Sequence, residues 1–318
     1  MSILSKAYMH DEAAAFAHVE SIVWPDGPVC PHCGVVDSAY RLEGVRTKAS
    51  KKNPEGKERH GLWKCRECRK QFTVRKGTIF EESHIELYKW LQAIHLMVSS
   101  KKGISAHQLH RVLEVTYKTA WFLAHRIREC MRTGDLGLMG GAGGTVESDE
   151  TFIGTDPDYK GSRRVYHHKM KVLSLVDRET RTARSFVVDK ITQKEVLPIL
   201  NANIDRETRL MTDQAPWYKP IGKQFAAHES VDHSKDEYVR GDVTTNTVEG
   251  YFSIFKRGMK GVYQHCDKKH LHRYLAEFDF RYNNRSANGV EDHERSVIAL
   301  RGARGKRLTY SGPDASAN

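Results

Sequence analysis

At 318 residues, with 39% apolar and 29% charged residues, the chain is long enough for two or three domains and has the balance of a soluble globular protein. No apolar run approaches the roughly 20 residues that a membrane span requires, and the acidic N-terminal stretch is not built like a secretory signal, so a cytoplasmic location is expected. The net charge of +11 is concentrated toward the two ends, because residues 133–245 hold 16 Lys and Arg against 18 Asp and Glu. Basic flanks suit nucleic-acid phosphates and an acidic centre suits cations, although the same charge could serve solubility alone.

Residues 13–23 form a weakly helical patch ended by the breaker WPDGP. CPHC follows at Cys30 and Cys33, and after 31 polar-rich residues WKCRECRKQFTV carries Cys65 and Cys68. Alternation of Phe72 and Val74 with polar neighbours predicts a strand there. From His84 to Val98 the residues Leu87, Trp90, Leu91, Ile94, Met97 and Val98 recur at helical spacing. Ser105 is placed to cap a short helix through Leu109 and Leu113, and after a turn at 114–116 a longer helix is predicted from Tyr117 to Met131.

GDLGLMGGAGG at 134–144 has the composition of a linker. Beyond it, short β-branched runs predict strands at 146–153, 170–176, 185–188 and 209–212, with a helix over 191–204 despite Pro198. Three strands able to meander, followed by a helix crossing to another strand, describe an α/β domain with a mixed sheet. Leu271, Leu275, Phe278 and Tyr282 form a core-facing helical stripe, and the chain after Lys306 has the look of a flexible tail.

Two C-x-x-C pairs supply four soft thiolates, the number a tetrahedral structural Zn²⁺ takes, so Cys30, Cys33, Cys65 and Cys68 are the expected zinc ligands. A redox role would call for one such pair in a βαβ setting, and disulfides for an oxidising compartment. Two helices joined by a short turn make a helix-turn-helix. Tyr117, Lys118 and Thr119 then fall where a recognition helix meets bases, with His125, Arg126 and Arg128 further along for phosphates. A plain helical hairpin with a basic face is the competing reading.

Three acids are candidates for divalent metal ions. Asp149 in VESDETFIG and Asp213 in RLMTDQAPWY are embedded in apolar strands, where an unpaired charge is costly. Glu249 opens an amphipathic helix that carries Lys256 and Arg257 about two turns on, positioned for DNA. Mg²⁺ takes a few carboxylates and leaves its other positions to water and phosphate, and two such ions suit in-line phosphoryl transfer. Glu147 shares the strand face of Asp149 and Glu150 points to the opposite one; either is an alternative ligand, although Glu150 reads first as a solvent or capping residue.

CPHC, KCRECRKQFTVRKGTIFEES, VESDETFIG, MTDQAPWY, NTVEGYFSIFKRGMKGVY and KKHLHRYLAEFDFRYNNR, in this order, resemble bacterial insertion-sequence transposases of the ISXO-type group, relatives of the Merlin elements. The resemblance implies a ribonuclease H-like catalytic domain with a DDE triad falling on Asp149, Asp213 and Glu249, two Mg²⁺ or Mn²⁺ ions per site, and a structural zinc. The implied layout is a zinc ribbon at 15–80, a helix-turn-helix region at 81–133, the catalytic domain at 145–300 and a flexible tail at 301–318. Thr244 stands where many relatives have His, with His228 or His233 as partial substitutes, and Gly154-Thr155 where a glycine pair is frequent.

The expected activity is binding of the terminal inverted repeats of an insertion sequence, then metal-dependent cleavage and strand transfer into target DNA. Partners would be double-stranded DNA and at least one further copy of the chain, in the bacterial cytoplasm at the nucleoid. A domesticated, non-catalytic DNA-binding protein and a nuclease that cuts without joining are the alternatives.

Overall fold

Asp11 begins the first helix by accepting a hydrogen bond from the Ala14 N–H at 2.7 Å, and α1 (Glu12–Val23) buries Phe16, Val19 and Val23. This computed structural model describes residues 2–51, 53–132, 134, 136–161, 165–232 and 239–308. The chain divides into two compact units, one formed by the segments up to Ser100, Ile104–Met131 and from Glu291 onward, the other by Lys101–Gly103 and Arg132–Val290.

In the first unit, β1 (Ala39–Arg41), β2 (Trp63–Cys65) and β3 (Gln71–Phe72) make a small sheet with antiparallel pairings. The predicted strand at Phe72 is thus only two residues long. α2 (Leu87–Ser99) buries the predicted stripe. α3 (Ala106–Leu113) is capped by Ser105, which accepts from the Gln108 N–H, and ends where Glu114 turns left-handed at φ 52°. α4 (Tyr117–Met131) follows, with the Thr119 N–H donated to Thr116 Oγ1 at 3.2 Å.

The second unit is built on β4 (Thr145–Ile153), β5 (Met170–Asp177) and β6 (Thr182–Val188), then α5 (Gln193–Asn203), β7 (Arg209–Asp213), α6 (Tyr218–Gly222), β8 (Ala227–Val231), α7 (Asn246–Gly258) and α8 (Lys268–Asn283). The five strands lie in the order β6-β5-β4-β7-β8. β4, β5 and β6 pair antiparallel, while β7 runs parallel to β4 and β8 parallel to β7. This mixed α/β sheet with helices on both faces is the ribonuclease H-like arrangement.

Side-chain alternation sorts the two cores. Val172 and Val176 pack with Tyr251, Phe252 and Phe255 of α7 and with Leu271, Leu275 and Phe278 of α8. Val146, Leu173 and Leu175 pack on the other side with Val196, Leu200, Tyr218 and Ile221. The predicted stripe of α8 is therefore core.

Two expectations change. The glycine-rich segment is not a free linker over its second half: Met139 is buried and bridges Ile204, and Gly140 and Gly141 donate N–H groups to Asp177 and Thr208. Gly140 has φ +78°, and a Cβ there would meet Thr208 Oγ1 at 2.3 Å, so only glycine allows the approach. Second, α9 (Asp292–Arg301) packs on α2, α1 and α4, with Arg295 donating to the Val98 carbonyl at 2.9 Å. The expected catalytic span to residue 300 thus gives way, because this helix buries its apolar face in the first unit. Residues just past it are packed too, Ala303 being buried and Lys306 donating to the Glu129 carbonyl; the rest of the expected tail, from residue 309, lies outside the described residues.

Candidate active site

β4 and β7 pair only from Thr145↔Arg209 to Glu147↔Met211. Continuing that register two residues brings Asp149 level with Asp213, at the point where the two parallel strands part. The crevice outside the C-terminal ends of such strands is where α/β sheets place ligands.

Carboxylate oxygens of Asp149, Glu150 and Asp213 all lie within 4.8 Å of one another. A six-coordinate Mg²⁺ with oxygens at about 2.1 Å spans about 4.2 Å between opposite ligands, so this donor set fits a hard divalent cation after small rotations. Asp213 is anchored by the Ala215 N–H at 2.9 Å, and Asp149 by the Glu150 N–H at 2.7 Å. Of the two alternative acids, it is Glu150, read first as a solvent or capping residue, that joins the two aspartates. It is held by the Tyr218 hydroxyl and by Trp217 Nε1, on the face opposite Asp149, and reaches the same point because β4 there runs past its parallel neighbour. The adjacent carboxylate in SDET and the aromatic pair in APWY were the available signals.

Burial pushes the Asp149 carboxyl up to about 8, with repulsion from Glu150 next in size and smaller contributions from Asp213 and Glu249. Burial also pushes Glu150 up to about 7, against the lowering effect of the Tyr218 hydrogen bond. Carboxylates crowded in this way favour any cation that neutralises them.

Glu147, the alternative ligand, is fully buried and engaged elsewhere: it accepts from Arg178 Nε, the Thr247 hydroxyl and the Val248 N–H, pinning the start of α7 to β4. Glu249 lies outside the three-carboxylate cluster. It is an exposed residue in the first turn of α7 and accepts from the Thr245 hydroxyl at 2.9 Å. Its charge still acts on Asp149.

Clefts adjoin the cluster on two sides. One of about 600 Å³ runs from Asp213 past Lys219, His228 and Arg240. Another of about 520 Å³ runs from Glu150 past Lys169, Lys256 and Lys260. Burial lowers the Lys256 pKa while Asp149 pulls it back up, which places this cation within the field of the acids. Arg257 is exposed, with Nε donating to the Ser253 carbonyl. His228 pairs with Thr212 Oγ1 at 2.9 Å, His233 lies outside the described residues, and Thr244 Oγ1 accepts from the Asn246 N–H at 3.0 Å.

In the first unit the four cysteine sulfurs form a second cluster. Cys30 and Cys68 are 3.6 Å apart and Cys33 and Cys65 3.7 Å apart. Four sulfurs about 2.3 Å from a tetrahedral zinc stand about 3.8 Å from one another, so the set fits that ion. Burial opposes ionisation of Cys30, but hydrogen bonds from the backbone of His32 and Cys33 and from the Cys33 and Cys68 thiols bring it down to about 7, while Cys33, paired with it, is pushed up.

The helix-turn-helix residues separate into two groups. Tyr117 and Lys118 are exposed at the start of α4, and Thr119 is half-buried, its hydroxyl 2.8 Å from that of Thr116. Arg126 and Arg128, expected on a phosphate-facing surface together with His125, are instead 5% and 2% exposed. Arg126 donates to the Glu81 carbonyl and lies against Trp90 and Phe122. Packing from distant parts of the sequence covers that side of α4.

Residues 141–283 match the ISXO2-like transposase domain, and residues 10–71 match a transposase zinc-ribbon domain. The chain thus carries both the zinc-ribbon domain and the DDE domain of these transposases. A protein described as an uncharacterized protein in transposable element ISH50, from Halobacterium salinarum, is 26% identical over 291 residues, covering 87% of this chain and 92% of its own. A chain in a cryo-EM structure of the simian T-cell lymphotropic virus intasome in complex with PP2A regulatory subunit B56 gamma is 14% identical, with a TM-score of 0.28 over 54% of this chain and 67% of that one. No helix among the described residues is long and apolar enough to cross a membrane.

Proposed function

We propose that this transposase binds the terminal inverted repeats of its own insertion sequence, cleaves the DNA at the element ends and joins those ends to target DNA. The observation that carries the reading is the placement of Asp149 and Asp213 at the diverging ends of adjacent parallel strands, with a third carboxylate in reach.

Asp149 and Asp213 would hold Mg²⁺ or Mn²⁺, two ions per site, with Glu150 beside them and Glu249 completing the DDE triad from α7. Such ions, when bound, activate the attacking oxygen and stabilise the leaving one. The chain's own part is positional. Tyr218 and Trp217 orient Glu150, Glu147 fixes the start of the helix that carries Glu249, and Lys256, Arg257, Lys169 and Lys260 supply cations for phosphates. Hydrolysis forms a P–O bond to water and releases a 3′-hydroxyl. In the second displacement that hydroxyl forms a P–O bond to target DNA as one target P–O bond breaks, so no outside energy source is needed.

Tyr117, Lys118 and Thr119 would read the repeat, supported by the zinc ribbon. Joining two ends at once calls for at least a dimer, acting in the cytoplasm at the nucleoid. The test is a strand-transfer assay with a duplex that carries the element's end and a plasmid target. Joined product in Mg²⁺ or Mn²⁺ is expected. Nicked duplex without joining would reduce the protein to a nuclease, and binding without nicking to a DNA-binding factor.

A further inference from the structure

The cleft that starts at Glu150 holds more than cations. Phe152 and Tyr166 stack with ring centroids 5.2 Å apart and planes 19° from parallel, and both line the cleft. Tyr166 is 56% exposed even with Phe152 stacked on it, so part of the ring is open to the cleft. Lys169 Nζ lies 4.9 Å from the centre of the Tyr166 ring, and Lys256 and Lys260 line the same cleft. Phe152 follows Glu150 by two residues on one strand face, so it lies about 7 Å further along β4.

Open aromatic faces beside a line of cations are the means by which proteins hold unpaired nucleotides: the bases stack and the phosphates are neutralised. A paired base inside a duplex already has both faces covered. We infer that this cleft is a binding site for an unpaired nucleobase, with Tyr166 as the exposed stacking surface and Phe152 as its backing, next to the carboxylate cluster. An extended single strand covers about 7 Å in about one nucleotide step, so the base held there belongs to a nucleotide at or next to a phosphate at the acids. This rests on the reading that the acids act on DNA. It adds that the DNA end is opened, not presented as intact duplex.

The experiment uses the full-length protein in EDTA, so that cleavage plays no part. The probes are a 15-nucleotide single strand with one 2-aminopurine, whose fluorescence falls on stacking, and a blunt duplex of the same sequence. The wild type should quench the single-strand probe. Tyr166→Ala should lose the quench and weaken single-strand binding about tenfold while changing duplex binding less than twofold, and Tyr166→Phe should behave as wild type. Unchanged quenching in Tyr166→Ala, or equal weakening on both probes, overturns the proposal; circular dichroism checks that the variant is folded. Absence of strand cleavage by the wild type in Mn²⁺ with the quench intact would defeat the catalytic reading and leave the base site standing.

Discussion

Tyr218 donates its hydroxyl to Oε1 of Glu150, and this bond turns a carboxylate from one face of β4 toward the two aspartates. Tyr218 is itself fully buried and also touches the Ser148 hydroxyl at 3.1 Å. Groups that orient a metal ligand typically change affinity by about 10–100-fold when removed. Tyr218→Phe should therefore weaken Mn²⁺ binding by about that range, read by electron paramagnetic resonance of free Mn²⁺, with the fold retained. Unchanged affinity would show that the Tyr218 hydroxyl does not orient Glu150 for the ion.

The cysteine cluster predicts one zinc per chain, measured by elemental analysis. Cys65→Ser should release it and lower the melting temperature, because the four thiolates tie the Cys30–Cys33 turn to β2 and a structural zinc contributes folding energy directly. A variant that retains its zinc and its stability would argue against a four-thiolate site.

Lys118 and Arg126 should behave differently although both were read as DNA-facing. Lys118→Ala is expected to weaken DNA binding and reduce the salt dependence by about one ion, with stability unchanged. Arg126→Ala removes a buried group that bonds a carbonyl and packs on two rings, and should cost about 2 kcal/mol of stability. Chemical denaturation and a salt titration of binding separate the two cases.

Asp279 gives a pH prediction. Burial is the largest influence on it and raises its pKa to about 7, even though Tyr251 and Ser185 donate to the carboxylate. Between about pH 4 and pH 7 the folded state then binds more protons here than the unfolded state, so stability falls as pH rises, by up to about 1.4 kcal/mol per unit. Asp279→Asn should lack this component. If wild type and variant show parallel stability–pH curves from 4 to 7, the assignment fails.

The sequence carried much of this. Acids set in apolar strands are expensive unless used, which marked Asp149 and Asp213, and cysteine spacing marked the zinc ligands. Glu150 was disfavoured because strand alternation turns it away from Asp149, whereas beyond the last β4–β7 pairing the Tyr218 hydroxyl holds it within reach of both aspartates. The burial of Arg126 and Arg128, and the packing of α9 on the first unit, were hidden for a related reason: the surfaces that cover them come from remote sequence, which local periodicity does not register.

On the proposed function, Asp149 and Asp213 work as a pair on the phosphodiester. Cleavage of a duplex bearing the element's end, in Mn²⁺, measures it directly for the wild type, Asp149→Asn and Asp213→Asn, each checked for folding and DNA binding. Cleavage by the wild type and a loss of about 1000-fold or more in either variant, with binding retained, are expected. Cleavage at wild-type rate by either folded variant would contradict the pair's role.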